Sequence, residues 1–440
     1  MRCSINCCTL SKAGGRSILY HLYELNQAAL SPARVAAEAY RLLFRNPLNP
    51  ASHTPLGKGA AAALELFERT TRRYRKPAWD IRTTVVDGHE VAVRTRRIIA
   101  KPFCNLVYFE RDVPQATRRK DSKLLIVAPM AGHYPTLLRG TVRDMLPDHE
   151  VYVTEWRDAR RVSRTAGPFD LDDYIDYLIE FMRYFQGDVH VMAVCQPTVP
   201  VFAAVSLLEA MRDRSSPRSM ILMAGPIDAQ VNPTAVNSFA DGRSVEWFER
   251  NVITQIPWPH PGMMRRVYPG FLQLSGFMGM NLDRHLTAHR YLFHNLIRGD
   301  GDSAGKHREF YDEFLAVMDL TAEYYLQTIK TVFLDYALPK GEMVHRGRPV
   351  DPGAIRRVAL MTVEGEKDDV SGIGQTFAAH NLSRSLPASM RAHHLQPGAG
   401  HYGVFNGSRF RAEIVPKIND FIAAHQRRRG LLARSFSRKS

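Results

Sequence analysis

An α/β fold with a mostly parallel sheet is predicted by two apolar runs and a third element, each ending at a residue able to do chemistry. Val189–Val194 stops at Cys195, Val358–Val363 leads into Glu364-Gly-Glu-Lys-Asp368, and Arg391–Gln396 leads into Pro397-Gly-Ala-Gly-His401. After Cys195 an apolar helical pattern begins within a few residues, as in a sharp strand-to-helix turn that lifts one side chain above the sheet edge. Nucleophile, acid and histidine in that chain order define the α/β-hydrolase fold, here with a helical cap inserted before the acid-bearing strand.

The remaining elements follow along the chain. Residues 1–17 read as a disordered extension. Ile18 to about Arg45 and Gly59 to about Arg75 read as amphipathic helices, separated by Asn46-Pro-Leu-Asn-Pro50. Thr83–Ile99 and Cys104–Glu110 alternate like antiparallel opening strands, with Asp87-Gly88 as a hairpin signal. Lys123–Ala128 and Val151–Trp156 are buried parallel strands, Leu171–Phe185 a helix, and Ser219–Gly225 the strand after the Cys195 turn. Between Ile227 and Arg348 the pattern changes to methionines, histidines and aromatics, and part of Ile256–Met280 reads as an apolar surface for substrate. The expected domains are thus a first core segment 18–226, a cap 227–348, a second core segment 349–426 and a basic disordered tail 427–440.

A free cysteine is more often an inert small hydrophobe than a nucleophile. Cys195 is set apart by its turn and by partners that follow in the required order. His401, one of 17 histidines, stands on a loop collared by Gly398, Gly400 and Gly403, which allows close backbone approach. As base it takes the thiol proton, while a carboxylate fixes its tautomer and supports the imidazolium. Asp368 fills that role by its place in the G-x-x-D slot from Gly365; Asp369 is the alternative one position on. Backbone N–H groups of Gln196, and of Met130 or Ala131 after the Lys123–Ala128 strand, are the expected oxyanion donors. The turn itself, Ala193-Val-Cys195-Gln-Pro197, lacks the usual flanking glycines, although proline suits a first helical turn.

Composition narrows the partners. The 440 residues carry a net charge of +15, but the excess is concentrated in Arg72–Lys76, Arg118–Lys120, Arg157–Arg164 and the tail. No helix-turn-helix, zinc-finger or RNP-like pattern accompanies it, so nucleic acid is not an expected partner. No apolar run is long enough for a transmembrane helix, and the N-terminus has no sustained apolar stretch of a secretory signal. Five cysteines, three of them at positions 3, 7 and 8, match neither a disulfide framework nor a zinc site, and a cytoplasmic location is expected.

Several strings from about Ile18 to His425 resemble the intracellular polyhydroxyalkanoate (polyhydroxybutyrate) depolymerases. They are Lys101-Pro-Phe-Cys104, Val194-Cys-Gln-Pro-Thr-Val-Pro200, Gly225-Pro-Ile-Asp228 and Pro233-Thr-Ala-Val-Asn-Ser238. Further along come Arg266-Val-Tyr-Pro-Gly-Phe-Leu-Gln273, Ala322-Glu-Tyr-Tyr325, Met361-Thr-Val-Glu-Gly-Glu366 and Gly400-His-Tyr-Gly403. The resemblance implies Cys195 as nucleophile, Asp368 as acid and His401 as base, with no metal or organic cofactor. It implies hydrolysis of stored polyester at the surface of cytoplasmic granules, releasing 3-hydroxybutyrate or short oligomers. The cysteine-rich N-terminus and the basic tail depart from the family. Three other activities fit the same triad or its loss: coenzyme A-dependent thiolysis, synthase-like acyl transfer, and a non-catalytic granule-binding paralogue. The residues specify neither the preferred side-chain length of the polymer nor an oligomeric state.

Overall fold

The computed structural model describes residues 8–114, 121–280, 282–298 and 300–426. Its centre is a nine-stranded sheet of β1 (Thr83–Val86), β2 (His89–Ala100), β3 (Cys104–Arg111), β4 (Ser122–Val127), β5 (His149–Trp156), β6 (His190–Val194), β7 (Ser219–Met223), β13 (Ala359–Gly365) and β14 (Arg391–Gln396). The spatial order is β1-β2-β3-β5-β4-β6-β7-β13-β14. The first three strands are antiparallel to their neighbours, and from β5 to β14 every pairing is parallel.

Each strand type follows from its residues. The β1–β2 hairpin closes through Asp87 and Gly88, both at positive φ (49° and 82°), as a two-residue turn between right-twisted strands requires. β6, β7 and β13 are mostly apolar and fully buried, as strands covered on both faces tend to be, with His190, Ser219, Thr362 and Glu364 as their polar members. α4 (Arg139–Met145), α5 (Leu171–Tyr184), α6 (Thr198–Ala210), α14 (Ala378–Leu382) and α15 (Val415–Gln426) alternate with these strands. α5 starts at a capping box in which Asp170 and Asp173 each accept the other's backbone N–H. Because β5 lies on one side of β4 and β6 on the other, the connections diverge between β4 and β6. The carboxyl ends of those two strands therefore frame the crevice where doubly wound sheets bind ligands.

Between β7 and β13 the chain leaves the sheet. It forms α7 (Ala235–Ala240), α8 (Val245–Val252), α9 (Gly270–Met280), α10 (Leu282–Arg298), α11 (Gly301–Phe314), α12 (Ala322–Thr328) and α13 (Ala337–Lys340). A small antiparallel sheet of β8 (Thr254–Gln255), β9 (Arg266–Tyr268) and β10 (Leu320–Thr321) ties this insertion together, and β11 (Val344–His345) pairs with β12 (Arg348–Pro349). The segment expected to face substrate is mixed: Ile256 and Val267 are buried, whereas Trp258, Met263 and Met264 are exposed.

Two expectations about the N-terminus need correction. Of the extension 1–17, residues 1–7 lie outside the described residues, but from Cys8 the chain is helical, in α1 (Cys8–Ala29). The apolar spacing that begins at Ile18 extends a helix already started. Leu30 separates α1 from α2 (Ser31–Arg45), which has proline in its first turn, and α3 (Pro55–Thr71) is capped by Thr54. These helices join the insertion, so the segment 18–226 is not all core. Tyr20 donates to Asp319 at 2.5 Å, and Tyr23 stacks on Phe271 with ring centres 4.2 Å apart. Arg308 donates to Glu65 at 2.7 Å, and Arg69 and Arg72 both hold Asp312 at 2.7 Å. Charged partners more than 200 positions away, invisible to local periodicity, decide this placement. The basic tail, 427–440, lies outside the described residues.

Candidate active site

Cys195 follows β6 directly, with φ at +67°, a left-handed conformation that residues with a β-carbon avoid unless their surroundings enforce it. Two hydrogen bonds enforce it here. The Cys195 N–H donates to Met223 O at 2.7 Å, and its carbonyl accepts from Thr198 N at 3.1 Å. The bend is thus tied to β7 on one side and to the start of α6 on the other. Gly225 leaves the room for it. A β-carbon there would stand 1.9 Å from Thr198 Oγ1 and 2.5 Å from Cys195 O. The missing flanking glycines are compensated from the neighbouring strand end. Pro197 sits as the N-cap of α6, where its absent N–H costs no helical bond.

His401 and Asp368 approach from β13 and β14. The imidazole Nδ1 lies 3.0 and 2.9 Å from the two Asp368 oxygens, which leaves Nε2 for the Cys195 side chain beside the ring. Asp368 Oδ1 also accepts from Val370 N at 2.8 Å and Ser371 N at 2.9 Å, so the carboxylate is anchored before it meets the histidine. Its side chain is 1% exposed and that of His401 7%. Asp369 is exposed, and Asp368 is the carboxylate that reaches the ring. Burial alone would push the imidazole down. The charges of Cys195 and Asp368, and their hydrogen bonds, outweigh it and hold His401 well above the usual histidine range. Cys104, by contrast, is fully buried and its thiol is pushed well up by burial, as expected of an inert core cysteine.

The glycine collar acts unevenly. Gly398 has φ at +64° and needs to be glycine, whereas Gly400, at φ −84°, does not. Closer approach comes from Gly365, where a β-carbon would meet Ala399 O at 2.7 Å and Val404 Cγ2 at 2.8 Å. The end of the acid strand can therefore lie directly against the histidine loop.

The two loops expected to supply oxyanion donors touch. Met130 is buried, and its N–H donates to Gln196 Oε1 at 3.3 Å, while Gln196 Nε2 is buried without a protein partner. Ala131 is half-buried at the crevice. His133, two residues further, stays neutral: burial pushes it down to about 4, and its ring lies between Phe277 and Phe314.

Residues that pattern reading did not assign complete the site. Glu364, the sixth residue of β13, accepts from Thr376 N at 2.8 Å and Phe377 N at 2.9 Å, and so folds back the loop that follows Asp368. Thr376 Oγ1 in turn binds both the N–H and the carbonyl of Gly225, at 2.8 and 3.0 Å. The acid loop and the nucleophile turn are thus one hydrogen-bonded unit. Tyr324 and Tyr402 are buried phenols pushed up by burial, with the charge of Cys195 adding to the effect. The only signal for Gly225, Glu364 and Tyr324 lay in the short strings around them. Among the described residues no group of three His, Cys, Asp or Glu is arranged to hold a metal ion, and no helix is long and apolar enough to cross a membrane.

Comparison with known proteins places these observations. Residues 224–426 match the family model for the PHB de-polymerase C-terminus. The match covers the insertion, Asp368 and His401, and begins after Cys195, so the cysteine stands on its own geometry. A search of the curated proteins gives no match. Solved structures that align with this chain include one from a study of carboxylesterases of Nitrososphaera gargenis, at 11% identity over 76% of this chain and 99% of that one, TM-score 0.41. A putative lipase from Acinetobacter baumannii AYE aligns at 10% identity over 76% and 93% of the two chains, TM-score 0.41. The 2-hydroxy-6-oxo-6-phenylhexa-2,4-dienoate hydrolase of Rhodococcus sp. strain RHA1 does so at 11% over 76% and 99%, TM-score 0.39. At such scores the α/β-hydrolase assignment rests on the strand order and the Cys195 turn described above.

Proposed function

We infer, from the match of residues 224–426 to the PHB de-polymerase C-terminus model and from the geometry of the site, that this protein is a cysteine esterase cleaving poly(3-hydroxyalkanoate) chains. The observation that carries the reading is the contact of His401 with Asp368 on one ring nitrogen and Cys195 on the other side. In the proposed cycle His401 holds the thiol proton and the Cys195 thiolate attacks an ester carbonyl. Charge moves onto the carbonyl oxygen, which the backbone N–H groups of Gln196 and of Met130 or Ala131 stabilise. Collapse breaks the C–O bond, and the imidazolium gives its proton to the departing alkoxide, the hydroxyl end of the cut polymer. Water then attacks the acyl-cysteine, losing its proton to His401. Free acid leaves and the thiolate–imidazolium pair returns. Each cut consumes one water and leaves one hydroxyl and one carboxylate end.

The substrate in this reading is stored amorphous polyester, met at granule surfaces in the cytoplasm. A thiol nucleophile suits a reducing compartment, where a free cysteine stays reduced. The exposed Trp258, Met263 and Met264 support contact with an apolar solid. The test is 3-hydroxybutyrate release from native amorphous granules by wild type and Cys195→Ala, with and without coenzyme A. The reading expects free acid from wild type alone and no dependence on coenzyme A. Acyl-coenzyme A as the product would replace hydrolysis by thiolysis, and an unreactive wild type still bound to granules would leave only a binding protein.

A further inference from the structure

Tyr324 carries a hydroxyl that the fold does not use. Its ring is the top of a stack that rises from the sheet. Trp156, the last residue of β5, stacks on Tyr174 with ring centres 4.1 Å apart, and Tyr174 stacks on Tyr324 at 5.5 Å. The lower two rings are tied at their polar ends, since Trp156 Nε1 and Tyr174 OH donate to Ala128 O at 2.8 and 3.4 Å. The phenol of Tyr324, a residue only 1% exposed, has no such tie: among the described residues it has no partner at hydrogen-bond geometry. Thr328 Oγ1, one turn of α12 further on and beside that phenol, is likewise buried without a partner. Phenylalanine and valine would fill the same space without the cost of burying a bare hydroxyl. Buried polar groups are nearly always paired, so two neighbouring exceptions mark a place where something else supplies the partner.

The helix that presents these groups is fixed to the core. Thr321, the N-cap of α12, donates from Oγ1 to Phe169 O at 2.6 Å, and Gln327 Oε1 accepts from Leu171 N at 2.8 Å. The phenol stands near enough to the reaction centre to feel the charge of Cys195. Strand order says on which side. β4 and β5, which carry the oxyanion loop and the aromatic stack, lie on one side of β6. β7, β13 and β14, which lead to Asp368 and His401, lie on the other. In the proposed cycle the departing alkoxide takes its proton from His401, so it leaves on the β13–β14 side. The acyl chain then runs the opposite way, past Tyr324 and Thr328.

Chemistry says what meets them there. In a polyester of 3-hydroxy acids the acyl residue bears an oxygen on its third carbon, either the ester oxygen of the next unit or a free hydroxyl at a chain end. A plain fatty acyl group has only hydrogen at that carbon. A phenol can donate to either oxygen, and burial keeps it in the protonated, donating form. We propose that Tyr324 and Thr328 form an acyl-side subsite, in which the Tyr324 hydroxyl donates to the oxygen on the third carbon and selects 3-oxygenated acyl groups over plain ones. The proposal rests on the ester-hydrolase reading and adds to it the residues that choose the acyl group.

The test uses soluble p-nitrophenyl esters of 3-hydroxybutyrate and of butyrate, which differ by that one oxygen, with full-length wild type, Tyr324→Phe and Thr328→Val. Wild type is expected to favour the 3-hydroxy ester by about tenfold or more in kcat/KM, the effect of one hydrogen bond. Tyr324→Phe is expected to cut that preference about tenfold, through loss on the 3-hydroxy ester, with a melting temperature equal to or above that of wild type. Thr328→Val is expected to cut it by about threefold. A tyrosine with a merely structural role would instead lower the melting temperature, slow both esters alike and leave the preference where it was. That result overturns the proposal. So does a wild type that hydrolyses both esters equally well, which leaves the hydrolase reading standing. A wild type that hydrolyses neither ester refutes the hydrolase reading itself, and the subsite with it.

Discussion

Replacing Asp368 by Asn changes one atom of the site and separates orientation from proton chemistry. The shape is kept: Asn Oδ1 can still accept from Val370 N and Ser371 N, at 2.8 and 2.9 Å in the native protein. Against His401, however, the acceptor at 2.9 Å becomes an NH₂ donor, which favours the tautomer in which Nδ1 offers its lone pair and the proton sits on Nε2. In that tautomer the ring cannot take the Cys195 proton. The same exchange in a Ser-His-Asp triad costs about 10⁴ in kcat. Here Nδ1 also lies 3.0 Å from Oδ1, which remains an acceptor in asparagine, so part of the ring's orientation survives without the carboxylate. We expect a loss of about 10²–10³ in kcat, equivalent to about 3–4 kcal/mol. The assay is steady-state hydrolysis of a soluble p-nitrophenyl ester, with thermal unfolding to show the fold intact and Asp369→Asn as the control. Asp368→Asn within threefold of wild type, or Asp369→Asn the more damaging of the two, would refute the assignment.

Four further outcomes follow from the geometry. Cys195→Ala should abolish turnover by about 10³ or more while the melting temperature stays close to wild type, read as product release beside thermal unfolding. Gly225→Ala puts a methyl 1.9 Å from Thr198 Oγ1 and 2.5 Å from a backbone oxygen, so it should lose about 1–3 kcal/mol of stability by denaturant titration and most activity. Gln196→Ala retains the backbone donor and frees Met130 N–H, so kcat/KM should fall less than about tenfold; a loss of about 10²–10³ would make the side chain itself the oxyanion donor. Asp319 is raised to about 6 by burial, with Asp158 adding, while Arg160, Tyr20 and Gly270 N–H oppose the rise. Since the folded protein then binds the proton more tightly, stability from this group is full below about pH 4 and declines as pH rises to about 6, by at most about 3 kcal/mol. Asp319→Asn should flatten that slope in melting temperature against pH; an unchanged slope would refute it.

What the sequence revealed and what it hid divide by range. Strands such as β6 and β7 are legible because a strand buried on both faces is apolar along almost its whole length, and the β1–β2 turn because Asp87-Gly88 tolerates positive φ. Cys195, Asp368 and His401 stand at strand ends, where the pattern changes abruptly, and the structure brings all three together. The choice between Asp368 and Asp369 was not legible, since one residue of loop turns a side chain from ring to solvent. Nor was the role of Gly225, whose constraint is set by Thr198, or of Thr376, which bonds to that glycine. The N-terminal helices misled most: their apolar spacing is what a core-facing helix shows, and only Glu65, Arg69 and Glu24, meeting cations and anions from distant segments, reverse the sense.

The clasp between those helices and the insertion also orders events in time. Tyr20 and Asp319 are separated by 299 positions, and Arg69 and Asp312 by 243. A chain made from its N-terminus therefore releases α1–α3 long before their partners exist. Glu65 must wait for Arg308, and the exposed leucines of α1 and α2 stand unshielded on a segment not yet anchored. Contacts of such long range slow folding and prolong the exposure of sticky surface. During synthesis that unanchored segment is therefore the part of the nascent chain in most need of a chaperone.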